Sequence, residues 1–309
     1  MKRARVVVLP SSFPGPGSPV MGRLETAGIE VVTNPHGRVT TEAELLELLP
    51  GADAVIVGLD PITRAVLEAA GSLKLVVKYG TGMDAIDLDA AAALGVAVRC
   101  TPGANTVSVA EHTLALLLAV ARRLPEAMGQ DRVRPVGREL QGLVLGVVGA
   151  GMVGRQVLTL GEALGMRTLA YDVRPLPGAV PSLPQLLEQV DVVTLHVPLL
   201  PDTYHLIDEA ALSRLRPDAI LINTARGGLM DEPAVATRLD AGALFGVGVD
   251  ELELKDGPLR RHPRVAYTPH IAARTRESAQ RMATACVDHV LEFFGEDART
   301  HQEARDPGA

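Results

Sequence analysis

Residues 143–154 join an apolar run to three closely spaced glycines, a combination that restricts the fold strongly. The run 143–148 is rich in Val and Leu, as in a buried strand. It leads directly into Gly149, Gly151 and Gly154, after which an amphipathic pattern begins. In this arrangement the first glycine permits a tight turn, the second lets a ligand approach the backbone, and the third lets a helix pack on the strand. The segment therefore predicts a strand, a turn and a helix of the kind that binds a dinucleotide.

The neighbouring residues refine this prediction. The backbone N–H groups of Met152 and Val153 open the predicted helix, where they can point at a pyrophosphate. Asp172 ends the next predicted strand, 18 positions after Gly154. A carboxylate there accepts hydrogen bonds from ribose hydroxyls and repels a 2′-phosphate, which favours NAD over NADP. Arg174 reduces this preference slightly, because an arginine can accept that phosphate.

Short β-branched runs alternate with amphipathic segments along the whole chain. Predicted strands are 5–9, 29–32, 54–57, 75–78, 96–98, 143–148, 167–171, 192–196, 219–223, 244–249 and 264–267. Predicted helices are 22–27, 42–49, 63–70, 88–94, 107–123, 152–164, 183–188, 209–215, 232–241 and 274–294. Such alternation predicts an α/β fold with parallel sheets, and a length of 309 residues favours two domains.

Two segments between the halves differ from this pattern. The helix predicted at 107–123 is nearly all apolar from 114 to 121, which indicates burial between domains or subunits. The charged and irregular stretch 126–138 predicts a linker.

Composition excludes several classes of protein. A net charge of −7, 3% aromatic residues and no Trp argue against a nucleic-acid-binding surface. No uncharged apolar run approaches the roughly 18 residues of a membrane helix, and the first apolar run is too short for a signal peptide. Cys100 and Cys286 are expected to be reduced thiols, and no spacing predicts a metal site. We therefore expect a soluble cytoplasmic protein that binds neither nucleic acid nor a membrane.

Several further motifs are together specific to one family. They are 73–87 (LKLVVKYGTGMDAID), 101–106 (TPGANT), 109–112 (VAEH), 196–199 (HVPL), 223–228 (NTARGG) and 268–271 (TPHI). With these motifs the sequence resembles the D-isomer-specific 2-hydroxyacid dehydrogenase family, and within it the phosphoglycerate dehydrogenase-like members. The resemblance covers nearly the whole chain.

The resemblance implies two Rossmann-like, doubly wound parallel-sheet domains with a cleft between them. Residues 1–100 and 281–309 would form a discontinuous substrate domain, and residues 101–280 an inserted NAD-binding domain. Family members are usually homodimers, with the helix at 107–123 in the interface. Only about 15 residues follow Phe294, so we expect no C-terminal regulatory domain.

The resemblance also implies NAD-dependent interconversion of a small D-2-hydroxy acid, possibly resembling 3-phosphoglycerate, and its 2-keto acid. His270 matches the family's proton-donating histidine, and an imidazole suits a group that gives and takes a proton near neutrality. Arg226 matches the arginine that binds the keto acid, since a planar guanidinium can bind it in bidentate fashion.

One position departs from the family pattern. The family places a glutamate, which pairs with the histidine, five residues after the aspartate that matches Asp250; here that position holds Lys255. Glu253 is the first candidate for a substitute and Asp256 the second, and the third possibility is that no carboxylate partners His270. A lysine facing His270 would weaken acid catalysis.

Other positions match residues that contact the ligands. On the cofactor side these are Val197, Pro198, Thr224, Ala225 and Asp250. On the substrate side they are Gly80, Thr81, Gly82 and Asn105. Lys78 precedes that loop, where it would meet a second anionic group such as a phosphate or remain a solvated lysine at a strand end.

Two other functions stay open from the sequence. The family includes transcriptional co-repressors, so an NAD(H)-sensing binding protein with little turnover is the main alternative, and Lys255 gives it some weight. A formate dehydrogenase-like enzyme also lacks the glutamate, but such enzymes usually carry an N-terminal extension, which we do not expect here.

Overall fold

The computed structural model describes residues 3–128 and 134–303, with side chains as far as residue 295. Its elements follow the chain in the order β1 (Arg5–Val8), α1 (Pro19–Thr26), β2 (Glu30–Thr33), α2 (Glu42–Leu48), β3 (Ala54–Val57), α3 (Arg64–Ala70), β4 (Leu75–Lys78), α4 (Leu88–Ala93), β5 (Ala97–Cys100), α5 (Thr106–Ala121), α6 (Leu124–Ala127), β6 (Val144–Val148), α7 (Met152–Ala163), β7 (Arg167–Tyr171), α8 (Leu183–Leu187), β8 (Val192–Leu195), α9 (Glu209–Arg214), β9 (Ile220–Asn223), α10 (Glu232–Asp240), β10 (Gly246–Val249), β11 (Val265–Tyr267) and α11 (Arg276–Glu303).

The chain divides into two compact units. One comprises Met1–Asn105 and Arg274–Ala309, and the other is Thr106–Ala273. The boundaries expected from the sequence, 100/101 and 280/281, lie a few residues away. The reason is local bonding within the first unit, where Ala104 O accepts the Arg281 guanidinium and Ala279 O accepts the Tyr79 hydroxyl.

The first unit is built on a five-stranded sheet in the order β2-β1-β3-β4-β5, with every described pair parallel. All side chains of β3 and β4 are buried, as in a sheet covered on both faces. One face packs against α2, α3 and α4, while α11 packs on β4 and against α1. The C-terminal helix therefore packs on a sheet whose strands all come from the N-terminal part of the chain.

The second unit is built on a six-stranded parallel sheet in the order β11-β10-β9-β8-β6-β7. Successive side chains of a strand point to opposite faces, so Ile220 and Ile222 pack toward α5 and α7 while Leu221 packs toward α8, α9 and α10. Helices thus cover both faces. The strand order changes direction between β6 and β8, and ligands of such sheets bind at the carboxyl ends of the strands beside this point.

The predicted α/β fold with parallel sheets is confirmed, and all eleven predicted strands are present. Helix α6 was not predicted and occupies the start of the stretch 126–138 expected to be a linker, of which residues 129–133 lie outside the described part. Helix α11 continues past the predicted end at residue 294. Within the described part of the chain, no helix is long and apolar enough to cross a membrane.

Candidate active site

The three glycines form the turn between β6 and α7 in the second unit. Gly149 has φ +91°, and a Cβ there would meet His196 O and the Val197 side chain. A Cβ on Gly154 would meet Gly149 O, so the helix approaches the strand as closely as predicted. Gly151 differs, because no heavy atom of the described residues lies within 4 Å of where its Cβ would stand. The turn is therefore tight at both ends and open in the middle, at the amino end of α7, where Met152 begins.

Asp172 follows β7 and ties this turn to the next loop. Its carboxylate accepts the N–H of Ala150 at 2.9 Å and the N–H of Arg174 at 2.9 Å. The Arg174 guanidinium also donates to it, at 3.2 and 3.3 Å, and this hydrogen bond is the main cause that holds the pKa of Asp172 below its usual value. The Asp172 side chain is 6% exposed and that of Arg174 is 70% exposed. The exposed charge beside the turn is therefore that of the arginine.

The predicted cofactor-side residues Val197 and Pro198 follow β8, and the first of them lies beside the glycine turn. Val197 packs against Gly149, and Pro198 O accepts the Thr203 hydroxyl at 2.7 Å. The ring of His196, which precedes them, contacts the Thr194 hydroxyl at 3.0 Å. Burial lowers the pKa of His196 to about 3, so the ring is neutral at physiological pH.

The turn after β9 carries Thr224, Ala225 and Arg226. The Asn223 side chain spans it, donating to Arg226 O at 2.7 Å and accepting the N–H of Ala225 at 3.0 Å. The Arg226 guanidinium donates to Ala225 O at 2.8 Å. The Thr224 hydroxyl lies 2.8 Å from that of Thr113 on α5. The Asn223 amide therefore bonds the backbone at two points of the turn and fixes its shape.

Asp250 comes directly after β10 and organises the loop that follows β11. Its Oδ1 accepts the Thr268 hydroxyl at 2.6 Å and the N–H of Ile271 at 2.9 Å, and its Oδ2 accepts the N–H of Ala272 at 2.8 Å. His112 Nε2 lies 3.3 Å from Oδ1. Burial raises the pKa of Asp250, but the hydrogen bonds outweigh it and the net pKa is below the ordinary value. A buried carboxylate with so many donors remains charged.

His270 sits at the centre of this loop. Its N–H donates to Asp250 O at 2.5 Å, and its φ of +55° is left-handed, a conformation that costs energy for a residue with a Cβ. Its Nδ1 lies 2.7 Å from Glu251 Oε2, within ion-pair distance, and both side chains are about one-third exposed. An imidazole and a carboxylate are therefore paired at the carboxyl edge of the sheet.

The carboxylate beside His270 is not the one expected. Glu253 was the first candidate and is wrong for this contact, because its carboxylate lies 3.2 Å from the Tyr204 hydroxyl and 3.5 Å from His205 Nε2. Lys255 and Asp256 are exposed. Glu251 was missed, although a charged residue directly after a strand-terminal aspartate at the carboxyl end of a parallel strand is a recognisable signal.

The path of the loop after Asp250 explains why Glu251, and not Glu253, lies beside His270. Glu253 donates its N–H to Glu232 Oε1 at 2.6 Å, and Gly227 lies so close that a Cβ there would meet the backbone of Leu252 and Glu253. These contacts turn the loop toward the residues after Arg226 and carry the Glu253 side chain with it. Glu251 stays next to the strand end, where His270 is anchored.

The loops that carry Arg226, Glu251 and His270 leave one edge of the sheet. Strands β9, β10 and β11 are neighbours and parallel, with Asn223 opposite Val249 and Val249 opposite Tyr267. A guanidinium and an imidazole–carboxylate pair at one edge can hold an organic acid and exchange a proton with it.

The predicted substrate-side residues belong to the first unit. Gly80 follows β4 with φ +128°, its N–H donates to the Thr101 hydroxyl at 3.0 Å, and Thr81 is exposed. Gly82 and Asn105 are partly buried. Lys78 is buried and its ammonium group donates to Gly58 O, so it is not the solvated lysine that was one of its two interpretations.

Comparison with known proteins adds a family and relatives. The family model described as D-isomer specific 2-hydroxyacid dehydrogenase, NAD binding domain, matches residues 114–272. A D-3-phosphoglycerate dehydrogenase of Methanocaldococcus jannaschii is 37% identical over 86% of this chain and 53% of its own. A hydroxypyruvate reductase of Thermotoga maritima is 34% identical over 82% of this chain and 88% of its own. The chain spans about half the length of the D-3-phosphoglycerate dehydrogenases that it matches.

Solved structures are similar over almost the full length. A D-lactate dehydrogenase from Aquifex aeolicus, complexed with NAD and lactic acid, has a TM-score of 0.81 and 30% identity, covering 95% of this chain and 96% of its own. An acyclic imino acid reductase in complex with NADPH and D-Arg has a TM-score of 0.83 and 26% identity, covering 94% and 97%.

Substitution of Gly151, where space is open, and of Gly154, where packing is close, should cause different defects. Gly151→Ala should leave the melting temperature of the ligand-free protein nearly unchanged, because φ is −70° and the space is open. It should weaken NADH binding by about tenfold or more, since the methyl group takes the place of a phosphate. Gly154→Ala should lower both stability, by about 1–3 kcal/mol, and NADH affinity.

Thermal denaturation and fluorescence titration with NADH measure the two effects separately. Unchanged NADH affinity in Gly151→Ala would contradict a dinucleotide at this turn. The Gly154→Ala variant is the control that shows how a packing defect differs from a purely local obstruction.

Proposed function

The chain belongs to the D-isomer specific 2-hydroxyacid dehydrogenase family, and from that membership we propose that it is an NAD-dependent oxidoreductase. It interconverts a small D-2-hydroxy acid and its 2-keto acid. The observation that carries the proposal is the His270–Glu251 pair at the same sheet edge as Arg226, in the unit that also holds the glycine turn.

The residues of the turn fit a dinucleotide. The open space at Gly151 admits a phosphate to the backbone, and the N–H groups of Met152 and Val153 begin a helix whose dipole favours the negative charge. The bound nicotinamide supplies or accepts the hydride. Val197, Pro198, Thr224, Ala225 and Asp250 lie after the neighbouring strands β8, β9 and β10 of the same sheet.

His270 is the proposed acid and base. Glu251 lies at Nδ1 and leaves Nε2 as the nitrogen that passes the proton to the carbonyl oxygen of a keto acid. The carboxylate stabilises positive charge on the ring while the proton is held there. Arg226 binds the carboxylate of the substrate and orients the carbonyl, because a guanidinium offers two parallel N–H donors.

NAD is the proposed cofactor, with a moderate preference over NADP. Asp172 holds a negative charge where the 2′ position of the ribose is expected. Arg174 offsets part of that charge, and a relative in complex with NADPH has the same fold. The preference should therefore be smaller than an unmasked aspartate would produce.

The proposed substrate class is a short 2-hydroxy acid. In the second unit Arg226 would bind its carboxylate, and in the first unit the proposed substrate-binding residues are Gly80, Thr81, Gly82 and Asn105. A phosphorylated acid remains within the proposal because the relatives include D-3-phosphoglycerate dehydrogenases. The second anionic group would then have to reach Lys78, whose buried ammonium group donates to Gly58 O and has further N–H donors. Lys255 gave the NAD(H)-sensing alternative some weight, and the carboxylate of Glu251 beside His270 counts against that part of the argument.

A homodimer through α5 is part of the proposal. The buried side of α5 packs on the sheet of its own unit, but Val107 and Leu118 on another side are 47% and 42% exposed. Apolar side chains presented in this way are typical of subunit interfaces.

The activity is tested with a panel of 2-keto acids. We expect oxidation of NADH by at least one of glyoxylate, hydroxypyruvate, pyruvate and a phosphorylated keto acid, with a higher kcat/KM for NADH than for NADPH. The measurement is the loss of NADH absorbance with time. Binding of NADH without turnover on the whole panel would favour the sensing alternative, and higher efficiency with NADPH would contradict the role of Asp172.

Glu251 and Glu253 form a matched pair of variants. Glu251→Gln should lower kcat/KM by about 100-fold because proton transfer through His270 loses its charged partner. Glu253→Gln should remain within about twofold of wild type, since its side chain contacts Tyr204 and His205 instead. His270→Ala and Arg226→Ala should lose activity. A larger loss of kcat/KM in Glu253→Gln than in Glu251→Gln would contradict this assignment and favour Glu253 as the partner of His270.

Substitution in α5 tests the dimer. Leu118→Glu should produce a monomer in light scattering, because a charge cannot be buried unpaired in an interface. Leu94→Glu is the control, since Leu94 is 45% exposed on the other unit. A wild-type protein that is monomeric at micromolar concentration would refute the proposed dimer.

A further inference from the structure

A second histidine contacts the loop that carries His270. His112 lies on α5, far from that loop in sequence, and its side chain is 17% exposed. We propose that His112 is a positioning residue for the reaction: it acts through Thr268 and Asp250 to hold the His270 loop in its working conformation. This inference rests on the proposed function.

The hydrogen bonds between His112, Thr268 and Asp250 have defined donors and acceptors. Thr268 donates its single hydroxyl proton to Asp250 Oδ1 at 2.6 Å. Its oxygen must therefore accept in the contact with His112 Nε2 at 2.8 Å, which makes the imidazole the donor. The contacts from His112 through Thr268 to Asp250 therefore place a proton on Nε2 of the His112 ring.

Asp250, which accepts the Thr268 hydroxyl, is also the residue that shapes the loop carrying His270. Asp250 takes the N–H groups of Ile271 and Ala272 on its side chain and that of His270 on its carbonyl. These bonds hold His270 at φ +55°, a conformation that persists only when its surroundings enforce it. Glu251 follows Asp250 in the chain, so the same anchor sets both partners of the imidazole–carboxylate pair.

The contact is not needed to dock α5. That helix already buries Leu116, Leu117 and Val120 in the core on this face of the sheet. Loss of the His112 donor should therefore leave the unit folded. It removes one of the groups that fix the Thr268 hydroxyl and the Asp250 carboxylate, since His112 Nε2 contacts both. A displacement of the order of 1 Å at a catalytic group can cost about 100-fold in rate.

The test compares His112→Leu, which removes the donor, with His112→Gln, whose amide can donate from a similar position. Glu209→Gln, at an exposed position of α9 in the same unit, is the control and should keep the wild-type kcat. With the 2-keto acid that wild type reduces fastest, His112→Leu should lower kcat by about tenfold or more. Its melting temperature should stay near wild type, which separates a local displacement from unfolding. His112→Gln should recover most of kcat.

A crystal structure of each variant provides a readout that does not depend on turnover. The distance of 2.7 Å between His270 Nδ1 and Glu251 Oε2 should lengthen in His112→Leu and be restored in His112→Gln. Wild-type kcat and an undisplaced loop in His112→Leu would overturn the inference, as would a loss of kcat that glutamine does not restore. If wild type reduces no 2-keto acid, the proposed function fails, and the crystal structures decide whether His112 holds the loop.

Discussion

The carboxylate of Asp250 is the acceptor on which the candidate active site depends. It is buried at the end of β10 and receives hydrogen bonds from Thr268, Ile271 and Ala272 of the loop after β11. A buried charge is stable only when donors surround it, so the strand end and the loop must fold as one piece. The position of His270 follows from this requirement, and so does the nearness of Glu251.

At the glycine turn the constraint is steric and not electrostatic. Backbone and side chains leave no room for a Cβ at Gly149 or Gly154, whereas the space at Gly151 is open. Close packing at both ends brings β6 and α7 together, and it presents the amino end of the helix beside that space. Shape and electrostatics thus favour the same occupant, a phosphate group.

Local patterns made most of the fold predictable. Strands such as β3 and β4 are short apolar runs bounded by turn residues, and the glycine turn lies within a few consecutive positions. The partner of His270 was not predictable by spacing, because the loop after Asp250 takes its path from Glu232 and Gly227, more than twenty residues away. His112 ends the motif 109–112, but nothing in the sequence indicated its partner, because Thr268 is 156 residues away.

The sequence by itself determined the order of strands and helices along the chain and the glycine turn, because periodicity and short motifs depend on neighbouring residues. His270 and Arg226 became candidates through the resemblance of the sequence to a known family. Only the tertiary structure decided that Glu251, and not Glu253, faces His270, and that a helix far away in the chain anchors the loop through His112. The physical reason is that buried charges and polar groups select whatever partners the fold brings within hydrogen-bond distance, and sequence separation does not limit that choice.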